Sequence, residues 1–205
     1  MLPDADVTVV GSDQVWNRDI TGCFGFSFYL DFAGSHPKIA VSSSFGKEIW
    51  EEDEKFTTEV KRLLSQFRAI SVREISGVKI LNDIMGLKAI NLTDPTLGYG
   101  KFEKLVINNK PRHHIFPFLL LNNAEAQEKA NHIARTLGLP LFKHSTITSR
   151  LQNGPRHWLT QIKNSDFIIT DSFHGLAFSL IFNKQFFIFL TSVPSKYIGH
   201  LFYLL

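Results

Sequence analysis

Ile168-Ile169-Thr170-Asp171-Ser172-Phe173-His174-Gly175-Leu176-Ala177-Phe178-Ser179 is an apolar run that breaks into polar residues and then turns apolar again. Phe167 to Thr170 has the character of a buried parallel strand. Asp171, Ser172 and His174 form a polar turn with Gly175, and a compact apolar helix is expected from Leu176 to Phe182. Such a turn lies at the carboxyl end of its strand, where the helix start offers N–H groups to an anion. An ordinary strand-to-helix turn capped by Asp171 or Ser172 would look much the same. A cap, however, has no need of an imidazole beside it, and His174 therefore marks the turn as a candidate site.

The same grammar recurs along the chain. Val7 to Val10 runs into Gly11-Ser12-Asp13-Gln14, Ile39 to Val41 into Ser42-Ser43-Ser44-Phe45-Gly46, and Ile70 to Val72 into Arg73-Glu74. Ala89 to Leu92 runs into Thr93-Asp94-Pro95, Phe116 to Leu121 into Asn122-Asn123, and Leu139 to Phe142 into Lys143-His144-Ser145. Between them, Glu51 to Phe67 and Ala124 to Leu137 carry apolar residues at helical spacing. Gly86 and Gly138 stand where helix-ending glycines belong. Short apolar strands alternating with amphipathic helices predict an α/β fold with mainly parallel, doubly wound sheets. In such folds the strand-end loops gather along one edge, so polar clusters far apart in sequence can share a site.

Of 205 residues, 44% are hydrophobic and 20% charged, which suits one large domain or two small ones. The 19 phenylalanines read as core packing. The single Cys23 cannot form an internal disulfide, in keeping with a reducing, cytoplasmic compartment. The start has an acidic opening and no apolar signal segment, and Leu176 to Leu190 is too short and too interrupted to span a bilayer. A net charge of +3 with scattered basic residues favours an anionic substrate or a peripheral place at a membrane face over nucleic acid. The Gly, Lys, Asn and Pro content of Gly98 to His114 predicts a boundary there, dividing the chain into α/β halves 1–98 and 99–205. Both halves are expected to be incomplete, since the chain opens almost directly on a strand and closes on the short apolar segment Tyr197 to Leu205.

Five motifs then occur in order: Gly11 to Asn17 (Gly-Ser-Asp-Gln-Val-Trp-Asn), Ser42 to Gly46, Ser71 to Gly77, Asp94 to Thr96, and Thr170 to Gly175. Together they resemble the polysaccharide pyruvyl transferase family over nearly the whole chain. The resemblance implies two Rossmann-like domains of the GT-B type with a site in the cleft between them. It implies transfer of a pyruvyl group from phosphoenolpyruvate to a sugar, giving a pyruvate ketal on a cell-surface glycan or exopolysaccharide. Family members often carry Arg at the position of Ser172, where it holds the anionic donor.

Ketal formation from an enol ether phosphate needs an acid for the methylene carbon, a base for the sugar hydroxyl, and a cradle for carboxylate and phosphate. His174 is the candidate acid or phosphate donor, because imidazole alone titrates near neutrality unaided. Asp171 would orient it or act as base, unless it is simply a cap. Arg73 could grip a carboxylate or phosphate at two points, or it could pair with Glu74. Ser172 and Gly175 complete the donor-binding set. Ser12, Asp13, Gln14 and Asn17 suit sugar hydroxyls, though an Asx-type turn packed under Trp16 would need the same residues. Ser44 offers further donors.

Asp94-Pro95 reads as a turn device, and His113, His114 and His132 as surface residues in a linker and on a helix. No zinc spacing, phosphate loop, dinucleotide fingerprint or nucleophile elbow is present, so no metal or cofactor is expected beyond the donor substrate. Two other readings suit the same residues: a glycosyltransferase using a nucleotide sugar, and a catalytically inactive sugar-binding remnant.

Overall fold

The computed structural model describes residues 5–107, 110–120, 123–142 and 154–189. The expected strand-end segments Leu121-Asn122 and Lys143-His144-Ser145, and the closing segment Tyr197 to Leu205, lie outside these residues. The fold is α/β and built on two parallel sheets, of four and three strands. The chain divides into two compact units between Pro95 and Thr96, just ahead of the Gly98 to His114 stretch.

In the first unit the strands are β1 (Thr8–Val10), β2 (Lys38–Ser43), β3 (Phe67–Val72) and β4 (Ile90–Asn91). They pair in parallel and in sequence order. Right-handed crossovers in a sheet ordered this way place every connection on the same face. Core packing follows that rule. Val10, Ala40, Ile70 and Val72 pack with Val60, Leu63 and Leu64 of α2 (Glu54–Leu64) and with Leu81 and Trp16. Each buried leucine contributes about 1.5–3 kcal/mol. Among the described residues the opposite face is the more exposed one: Val9 is 55% exposed and Ile90 59%.

Asp53 caps α2 by accepting from Phe56 N at 2.8 Å. The loop between β1 and β2 holds α1 (Arg18–Thr21) and several 3-10 turns that the apolar spacing does not predict. Aromatic packing holds it instead. Trp16, 1% exposed, stacks on Tyr29, meets Phe45 at a tilt and donates from Nε1 to Phe28 O at 3.0 Å. After β3 comes α3 (Ile75–Lys79), extended by one wider turn to Ile84.

Helix α4 (Pro95–Tyr99) leads into the second unit, which continues with β5 (Arg112–Phe118) and α5 (Ala124–Leu137). Then follow α6 (Pro155–Asn164), β6 (Ser165–Thr170), α7 (Phe173–Ile181) and β7 (Gln185–Ile188). The sheet order is β5-β6-β7. The expected strand at Leu139 to Phe142 contributes a single parallel bridge, Leu141 to Ile115, on the far side of β5. The chain thus steps from β5 to one side, then crosses to β6 on the other. That reversal lets helices cover both faces: Ile115, Ile169 and Ala130 of α5 form one core, and Phe116, Ile168, Leu159 and Phe178 the other.

His114 corrects the expectation of a surface residue. It lies inside β5 and is buried, because the strand begins within the stretch read as a linker. Ser165 Oγ donates to Gln161 O at 2.6 Å, so the 2.9 Å contact with His114 Nε2 makes the imidazole the donor. Burial, with Arg112 adding to it, pushes the His114 pKa below that of a free histidine. The unfolded chain therefore takes up the proton first as pH falls, and stability declines as pH drops below about 6.5. Urea midpoints of wild type and His114→Gln across pH 5–8 should converge toward the acid end. A constant difference between them would show that His114 does not carry this dependence.

Candidate functional site

In the first unit the four strand ends are tied together along their carboxyl edge. Asp13 forms a parallel bridge with Ser43, and its carbonyl accepts from Ser44 N at 2.9 Å. Ser42 Oγ donates to Thr93 O at 3.0 Å, and Arg73 N donates to Ser43 O at 3.1 Å. Ser44 Oγ accepts from Gly46 N at 2.9 Å, so this hydroxyl already closes its own loop. Gln14 and Asn17 bond each other, Nδ2 to Oε1 at 2.7 Å, while Asn17 Oδ1 accepts from Asp19 N and caps α1. Asn17 is fully buried, whereas Ser12 is half-buried and Asp13 exposed.

Arg73 sits at the centre of this edge, its side chain 8% exposed. Its Nε donates to Glu74 at 2.9 Å, and its Nη1 reaches Asp94 at 3.2 Å and Asp13 at 3.3 Å. Burial works against the guanidinium charge, and Glu74, Asp13 and Asp94 more than offset it, so Arg73 is held charged. The pairing with Glu74 is thus present, together with two further carboxylates. Asp94 is more than a turn residue: it is buried against Arg73 directly before α4, whose first residue is Pro95. An Asp-Pro pair following a strand was the available signal, but only the fold brings its carboxylate to Arg73.

In the second unit, Asp171, Ser172 and His174 follow β6 at the point where the strand order reverses. Crevices at the carboxyl ends of such strands are where open α/β sheets bind ligands. Ser172 caps α7, accepting from Gly175 N at 3.5 Å, and its hydroxyl proton is left for a further acceptor. Thr170 Oγ1 accepts from Ser172 N at 3.0 Å and lies against Gly175, where any Cβ would overlap it. Helix α7 therefore starts one turn earlier than the apolar pattern suggests, placing Phe173 and His174 in its first turn. His174 is half-buried and lies edge-on to Phe173. Asp171 is buried and accepts from Leu120 N at 2.7 Å, joining the ends of β5 and β6. Asn123, which the sequence reading did not single out, caps α5 at the same edge by accepting from Ala126 N.

A model of the polysaccharide pyruvyl transferase family matches residues 3–192. The chain belongs to this family. Comparison with curated proteins and with solved structures found no match.

For a polysaccharide pyruvyl transferase, the expected site residues fall into two sets. Ser12, Asp13, Gln14, Asn17, Ser44 and Arg73 gather on the first sheet's carboxyl edge, and Asp171, Ser172, His174 and Gly175 on the second's. A cavity of about 480 Å³ lies elsewhere, on the flank of the second unit between α5 and β7, lined by Lys129, His132, Phe187 and Phe189 among others. Among the described residues, no three His, Cys, Asp or Glu side chains are grouped to hold a metal ion. No helix among them is long and apolar enough to cross a membrane.

Proposed function

We propose that this protein transfers the pyruvyl group of phosphoenolpyruvate to two hydroxyls of a sugar in a cell-surface glycan or exopolysaccharide, forming a pyruvate ketal. The observation that carries this reading is the turn after β6. A capped helix start, a serine hydroxyl and an imidazole converge there at a strand-order reversal, in a chain of this family. Helix starts favour anions through their unpaired N–H groups and their dipole.

The reaction balances without a cofactor. One proton adds to the methylene carbon, the bond between the central carbon and the phosphate oxygen breaks, and both sugar oxygens bond to that carbon. Of the two hydroxyl protons released, one is matched by the new methyl hydrogen and the other leaves on phosphate. His174 supplies the proton to the methylene carbon, and the Ser172 hydroxyl at the start of α7 holds an anionic group, with Gly175 keeping that start close to Thr170. Asp171 braces the turn through Leu120 and acts as base in the same place. Arg73 is the cation that the first unit offers to the donor, and Ser12, Asp13 and Gln14 form the surface offered to the sugar, with the buried Asn17 and Ser44 holding that turn in place. The acceptor is a glycan or a lipid-linked sugar, and catalysis takes place in the cytoplasm or at the inner membrane face.

Phosphoenolpyruvate should raise the melting temperature by mass action, and it should release phosphate only when a glycan acceptor is present. Stabilisation by nucleotide sugars with none by phosphoenolpyruvate would favour the glycosyltransferase reading instead. Arg73→Lys should weaken phosphoenolpyruvate binding about tenfold or more, because an ammonium cannot reproduce the planar fork. Ser172→Ala should cost only about 0.5–1.5 kcal/mol of binding, one ordinary hydrogen bond. Calorimetric titration of both variants separates the roles; unchanged affinity in Arg73→Lys with none left in Ser172→Ala would reverse them.

A further inference from the structure

Resting on the reading of Arg73 as a cation for the donor, we propose that Asp13 is a built-in competitor for that cation. The incoming anion displaces it from Arg73. Three carboxylates meet one guanidinium here, and they are not equivalent. Side chains of Glu74 and Asp94 are 5% and 1% exposed, whereas that of Asp13 is 59% exposed. Pulling Glu74 or Asp94 away would strand a buried charge, which is costly. Releasing Asp13 returns a carboxylate to water, and an exposed ion pair of this kind is weak. The contact geometry agrees, since Asp13 makes the longest of the three contacts, at 3.3 Å, and shares Nη1 with Asp94.

The backbone of Asp13 meanwhile stays fixed. Its carbonyl is held by Ser44 N, it bridges Ser43, and its φ of 62° lies in a region that Asp and Asn tolerate. Displacement therefore needs only a side-chain rotation, with no movement of the strand ends. Arg73 is kept charged and correctly aimed in the empty protein, and its exposed partner gives way when a stronger anion arrives.

The test is calorimetric titration of the full chain, as wild type, Asp13→Asn, Asp13→Ser and Asp13→Glu. Two probes are used, phosphoenolpyruvate and inorganic phosphate. Removing the competitor should tighten binding of both probes by up to about fivefold in Asp13→Asn and Asp13→Ser, whereas Asp13→Glu, which keeps the charge, should show no tightening. A purely structural role for Asp13 would instead weaken binding and lower the melting temperature. Unchanged or weaker binding of both probes in the neutral variants overturns the proposal. If phosphate tightens while phosphoenolpyruvate binds no better than phosphate, the competition stands and the donor assignment falls. Absence of binding by either probe to wild type overturns both.

Discussion

Replacing His174 by alanine is expected to lower turnover by about 10²–10⁴-fold, the range for loss of a positioned acid or base. The melting temperature should change little. His174 is half-buried in the first turn of α7, and its ring touches Phe173 at the edge rather than filling the core. The cap that starts the helix comes from Ser172, and the packing that holds it comes from Phe178 and its neighbours. Steady-state rates of phosphate release from phosphoenolpyruvate, taken with a melting curve, decide the matter. A well-folded variant with the full rate would remove His174 from the chemistry. A large drop in melting temperature would make it a structural histidine.

Gly11→Ala should be among the most damaging single changes in the first unit, costing about 4 kcal/mol or more. Gly11 has a φ of 131°, which side-chain-bearing residues rarely adopt, and an added Cβ would overlap the carbonyl oxygen of Val41. That oxygen belongs to the backbone of β2 and cannot retreat without opening the sheet. The residue also sits between β1 and the Ser12-Asp13 turn, so donor binding through Arg73 should fall with stability. Urea unfolding at constant slope gives the measurement. Gly98→Ala is the control: a Cβ there meets nothing, and the change should stay within about 0.5 kcal/mol. A Gly11→Ala protein as stable as this control would show that the strand end can shift.

Local pattern by itself determined the α/β class. Apolar runs ending in polar turns, and helices with one apolar face, carry their period in the order of residues, because burial selects every second or every third to fourth position. On that basis helix 124–137, its glycine stop at Gly138 and the strand ending at Thr170 were readable to the residue. The β1–β2 loop was not, since packing between aromatic rings distant in sequence, such as Phe26 on Phe56, holds its short turns. His114 was misread for a related reason: a composition rich in Lys, Asn and Pro says nothing about a strand partner that comes from β6.

The motif residues themselves were legible, but their partners were not. Only tertiary structure could decide that Arg73 is met by Asp94 as well as Glu74 and Asp13, or that Asp171 reaches Leu120 across the strand-order reversal. Strand pairing brings together groups separated by 21 to 60 residues, and no local propensity encodes which carboxylate finds which cation. Sequence thus determined which chemistry the chain carries and at which strand ends. Which of those groups are engaged within the fold and which remain exposed was settled by burial and pairing.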